Sequence, residues 1–177
     1  MDLREQLTQS LQGRVCFVGV GNRDFGDDAF GVNLAQGLQA AGVADVIEAG
    51  ANPDRWIGSL HAFDHVVLLD AVEFGADPGS VVFMDAAEIA ARYPQVSTHK
   101  ISLGLLARWI EADGKSRAWL LGVQPGSLKA GEPLTSTLRT TLEALRDLLV
   151  SLDPDDGSVG TDPHDCPGVK VTTGGIA

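Results

Sequence analysis

Cysteine is scarce: Cys16 lies in an apolar run and Cys166 in a polar one. Two cysteines so placed offer no disulfide framework and no CxxC spacing for a structural metal. Basic residues are also few, 13 against 24 acidic ones for a formal net charge of −11, which excludes non-specific binding to nucleic acid or an anionic membrane. No segment is apolar for long enough to span a bilayer, and the opening MDLREQLTQSLQGR is too polar for a secretory signal, so a cytoplasmic protein is expected. The signatures of several enzyme classes are missing as well. After Gly19 and Gly21 the next glycine is Gly26, so the dinucleotide fingerprint GxGxxG is not met. Neither a GxxxxGK[ST] phosphate loop nor a GxSxG nucleophile elbow occurs, and there is no internal repeat.

What is present is 177 residues with 44% hydrophobic content, enough for one well-packed domain. The stretch Val15 to Gly31, VCFVGVGNRDFGDDAFG, reads as strand, tight turn and helix start, with Asp27 or Asp28 capping the helix. Hydrophobic periodicity predicts helices over about 3–12, 28–41, 85–92 and 134–152. A short helix is expected after Asn52-Pro53, with asparagine as N-cap, and another after Ser97-Thr98, one of which would cap it. Strands are predicted over about 14–20, 43–49, 66–69, 80–84 and 117–123. This alternation implies an α/β three-layer sandwich: a largely parallel twisted sheet of about five strands with helices on both faces. The domain occupies residues 1–152. From Asp153 the composition turns to Asp, Pro, Gly, Ser and Thr, and 153–177 reads as a flexible tail.

In such a sheet ligands sit beyond the carboxyl ends of the strands. Right-handed crossovers would bring the Asp28 turn, Asp70 at the end of the third strand, the His99 loop and the Gln124-Pro125 turn to that edge. Any one alone has a plainer reading, as helix cap, turn cap or solvated imidazole. Together, two carboxylates and an imidazole make a mixed oxygen and nitrogen set suited to zinc or nickel. Asp24, Asp27, Glu48 and Glu73 compete for the same role, and spacing alone does not choose among them.

Four motifs in order, VGVGN with GDDAFG (18–22 and 26–31), LLDAVEFG with PG (68–75 and 78–79), STHKISL (97–103) and LGVQP (121–125), resemble those of the nickel-iron hydrogenase maturation endopeptidases. The resemblance spans Val15 to Leu149 and is closest to the subgroup serving formate hydrogenlyase hydrogenases. It implies an endopeptidase that removes the C-terminal extension of a hydrogenase large-subunit precursor after nickel insertion. Asp28, Asp70 and His99 would contact the metal, with Asp28 or Asp70 as the catalytic carboxylate. Gly21, Asn22, Asp27 and Gln124 would border the substrate. The nickel would arrive with the precursor, with no tightly held metal in the enzyme itself, and a monomer is expected. The rival readings are a non-catalytic nickel-dependent docking or chaperone protein and a stand-alone metal-dependent hydrolase.

Overall fold

A computed structural model of the chain describes residues 1–94 and 101–153. The five strands are β1 (Val15–Val20), β2 (Val46–Gly50), β3 (His65–Ala71), β4 (Val81–Asp85) and β5 (Arg117–Val123). They form one sheet in the order β2-β1-β3-β5-β4. β1 pairs in parallel with β2 and β3, and β3 with β5, whereas β4 runs antiparallel to β5. The reason lies in the connection. No helix intervenes between Ala71 and Val81, so the chain is still at the carboxyl edge when β4 begins and can only run back down.

Among the described residues six α-helices flank the sheet: α1 (Leu3–Ser10), α2 (Phe30–Ala40), α3 (Ile57–Leu60), α4 (Ala86–Arg92), α5 (Leu103–Ile110) and α6 (Ser136–Leu152). Side chains alternate along each strand, and the core divides accordingly. Phe17, Val67, Leu69 and Leu121 meet Leu7, Leu34, Leu38, Leu138 and Leu149 from α1, α2 and α6. Cys16, Val18, Val66, Leu68 and Leu120 meet Leu60, Ile89, Leu106 and Ile110 from α3, α4 and α5. The unbroken apolar runs of β1, β3 and β5 are thus buried on both faces, and each such Leu or Val contributes about 1.5–3 kcal/mol of transfer free energy.

Three local expectations need correction. The first turn after β1 is a 3-10 helix, Gly26–Ala29, and the α-helix begins only at Phe30, so Asp27 and Asp28 lie in the tighter turn. Asn52 holds the N-cap position, but its side chain makes no capping hydrogen bond, and Pro53–Trp56 is again 3-10 before α3. The cap of α5 is Ser102, which accepts the Leu105 amide at 3.1 Å, and not Ser97 or Thr98, which lie outside the described residues. The expected tail lies outside them too, except for Asp153, which follows α6.

Candidate active site

Strand order reverses direction between β1 and β3: the chain leaves β1 for β2 on one side and returns to β3 on the other. The crevice at such a switch point is where an open α/β sheet presents a ligand site. β1 is followed there by Gly21, whose φ of +128° is open to glycine and strained for other residues. A Cβ on Gly21 would lie 1.9 Å from the Asp28 carbonyl oxygen and 3.7 Å from Oδ1 of Asp70. The Asp28 backbone and the Asp70 carboxylate, from different elements, thus both lie beside this glycine. The Asn22 amide donates to Oδ2 of Asp28 at 2.8 Å, and the Asn22 side chain accepts the Asp24 amide at 2.9 Å, which closes the turn. Asp70 is the penultimate residue of β3, level with Gly122 of β5.

Asp27 faces the other way. It is fully buried, and every hydrogen bond to its carboxylate comes from residues 126–135. Oδ2 accepts the amides of Gly126 at 2.8 Å and Ser127 at 3.0 Å and the Thr135 hydroxyl at 3.1 Å, while Oδ1 accepts the Thr135 amide at 2.7 Å. Its own amide donates to the Ser127 carbonyl at 2.9 Å. Gln124 is equally occupied. Its Oε1 accepts the amides of Phe74, Gly75 and Ala76 at 2.9, 3.1 and 3.3 Å, and its Nε2 donates to Glu73 at 2.8 Å. The side chains of both residues bind the loops around the crevice.

The rim beside Asp70 carries Tyr93, whose hydroxyl donates to the Glu73 carbonyl at 3.1 Å. Burial pushes the Tyr93 phenol above its ordinary pKa; Arg92 opposes the shift, and the charges of Asp70 and Glu73 add to it. Tyr93 follows α4 and Ser102 precedes α5, and the first turn of α5 lies against the Tyr93 carbonyl, 2.8 Å from where a Cβ on Gly104 would be. His99 falls between these two flanks, outside the described residues. Among the described residues no three His, Cys, Asp or Glu side chains gather as a metal site.

Three of the four competing acids are engaged within the chain, and the fourth, Asp24, is exposed. Glu48 pairs with Arg23 at 2.7 Å, Asp27 is sealed in, and Glu73 is tied to Gln124. Cys16 is fully buried in β1, and burial, reinforced by Asp45, pushes its thiol up to about 12, which removes it as a nucleophile. Sequence reasoning missed the clamping roles of Thr135 and Tyr93. A Thr ahead of an amphipathic run signals a cap, which Thr135 is, but nothing in the spacing tells that the same residue also meets Asp27.

The family described as hydrogenase maturation protease, HycI, matches residues 31–152, a span that includes Asp70 and His99 and begins just after Asp28. The chain is 28% identical over 130 residues to the Hydrogenase 3 maturation protease of Escherichia coli K12, covering 71% of this chain and 82% of that protein. It is 26% identical over 148 residues to the Hydrogenase 2 maturation protease of the same organism, covering 78% and 90%. Its fold superposes on the crystal structure of a NiFe hydrogenase maturation protease HycI from Thermococcus kodakarensis KOD1 with a TM-score of 0.74 and 31% identity, over 85% of this chain and 97% of the other. No helix among the described residues is long and apolar enough to cross a membrane. The chain is a peptidase and belongs to the hydrogenase maturation protease family.

Proposed function

We propose that this peptidase removes the C-terminal extension from the large-subunit precursor of a NiFe hydrogenase, and that it reads the nickel already seated in that precursor. The observation that carries the reading is that the Asp28 carboxylate, held by the Asn22 amide, and the Asp70 carboxylate, beside Gly21, border the same Gly21-Asn22 turn at the switch point of the sheet. Two carboxylates on separate rigid elements, beside backbone that only glycine allows, supply oxygen ligands at an edge that a polypeptide can approach.

The nickel belongs to the substrate, held by the precursor's own thiolates. Asp28 and Asp70, with His99 by resemblance to the family, fill coordination positions the precursor leaves open, so docking and the check for nickel are one event. The scissile bond then lies beside the Gly21-Asn22 backbone. One of the two carboxylates takes a proton from water, the oxygen attacks the scissile carbonyl, and the proton passes to the leaving amide nitrogen. Asp27 and Gln124 act through the loops they hold. In this reading the enzyme works in the cytoplasm as a monomer, keeps no tightly bound metal, and serves a hydrogenase of the formate hydrogenlyase type.

The test is the mass of a large-subunit precursor from the same cell after incubation with the wild-type chain, Asp28→Ala or Asp70→Ala. Loss of a C-terminal peptide with the wild type and with neither variant is the expected result. A precursor left intact by the wild type, or shortened by both variants, contradicts the proposal.

A further inference from the structure

Large apolar side chains are exposed at four places, Met1, Phe25, Trp109 and Leu128, among the described residues. Single exposed hydrophobics are ordinary and need no explanation. Two of these four differ from the others because their backbones are sewn together beside the candidate site. The Asp27 amide donates to the Ser127 carbonyl at 2.9 Å and the Gly131 amide to the Asp24 carbonyl at 2.8 Å. Between these bonds, a Cβ on Gly26 would come 2.6 Å from the Ser127 carbonyl, so the two loops touch backbone to backbone. Phe25 lies on one side of the seam and Leu128 on the other, 42% and 45% exposed. The Phe25 carbonyl also accepts the Asp28 amide at 3.0 Å, which places this residue one turn from the candidate ligand.

Several polar groups around the seam are matched within the chain, while the Asp24 side chain beside Phe25 is exposed. Lys129 pairs with Glu132 at 3.5 Å, Ser127 donates to Glu132 at 2.8 Å, and Arg23 pairs with Glu48 at 2.7 Å. The seam thus presents two apolar side chains among largely paired polar ones, and Asp27, buried beneath it with four donors on its carboxylate, holds its backbone in place. Two exposed apolar side chains on loops joined backbone to backbone, with polar residues around them, have the composition of a binding hot spot. Because Phe25 stands three residues before Asp28, a polypeptide bound at Asp28 has the seam within reach.

Resting on the function proposed above, we propose that Phe25 and Leu128 are the apolar anchor with which the enzyme grips the hydrogenase precursor beside the bond it cuts. The occupant is an apolar segment of that precursor. The pair sets affinity and partner choice, and takes no part in bond cleavage.

The experiment measures binding of the nickel-loaded precursor by surface plasmon resonance and, separately, its cleavage kinetics. The proteins compared are the wild type, Phe25→Ser, Leu128→Ser, the double variant, Phe25→Leu and Trp109→Ser. The double variant is expected to weaken Kd and raise KM tenfold or more with kcat unchanged, while Phe25→Leu restores most of the affinity. Trp109, at the far end of α5, serves as the exposed apolar control and changes neither. Equal binding by wild type and double variant, equal weakening by Trp109→Ser, or no binding by the wild type overturns the proposal. A wild type that binds without cutting contradicts the protease reading alone, and the Kd series still decides the anchor.

Discussion

Oδ1 of Asp27 accepts the backbone amide of Thr135, 108 positions further along the chain, at 2.7 Å. The other oxygen takes two more amides and a hydroxyl, so everything that touches this carboxylate is a donor. Asp27→Ala strands those amides, and Asp27→Asn sets an NH2 group against at least one of them. Either substitution is expected to destabilise the protein by roughly 2–4 kcal/mol, read as a lower urea midpoint with an unchanged m-value. A change under about 0.5 kcal/mol would mean that the loop 126–135 is held by other contacts.

Gly31 is where α2 presses onto the sheet. A Cβ there would lie 1.9 Å from the Leu69 carbonyl oxygen and 2.5 Å from that of Val20, both backbone atoms at the base of the site. Gly31→Ala is therefore expected to cost about 3 kcal/mol or more, or to abolish soluble expression. Six residues on, Gly37 faces only the flexible Arg146 side chain, 3.4 Å from a new Cβ. Gly37→Ala should stabilise the helix by about 0.5–1 kcal/mol, and thermal melts of the two variants moving in opposite directions check both claims.

Tyr93 is the protein's single tyrosine, so its titration is read directly from absorbance near the phenolate band. Its pKa is raised chiefly by burial, against Arg92, with Asp70 and Glu73 adding. A folded-state pKa above the unfolded value means that the protonated phenol stabilises the native state. That contribution is complete below the unfolded pKa of about 10 and is lost as pH rises through the folded pKa. Asp70→Asn should bring the Tyr93 titration down toward the ordinary value without removing the burial component. An unchanged titration would show that the Asp70 carboxylate does not face the rim.

Much of this was legible in the sequence, for physical reasons that also mark where it stopped. The apolar runs at 14–20, 66–69 and 117–123 predict strands, and these are β1, β3 and β5 in the centre of the sheet. Asp70 is placed at a strand's carboxyl end by its position after Leu69, as found. The antiparallel course of β4 follows from a connection without a helix, which periodicity alone does not weigh. Asp27 and Asp28 look alike in sequence, yet one carboxylate is sealed beneath the 126–135 loop and the other accepts the Asn22 amide beside Gly21. Only contacts spanning about a hundred residues tell them apart. Gln124 reads as a turn residue open to substrate, because nothing local reveals the three amides of residues 74–76 that its side chain accepts. His99 lies in a segment outside the described residues, so its place rests on the THK motif.

The most direct test of the central claim is the mass of the large-subunit precursor after incubation with this enzyme, prepared once with nickel loaded and once without. The account predicts that only the nickel-loaded precursor loses its C-terminal peptide, and that Asp28→Ala abolishes the loss. Equal shortening of the nickel-free precursor would contradict the claim that Asp28 and Asp70 meet a metal carried by the substrate.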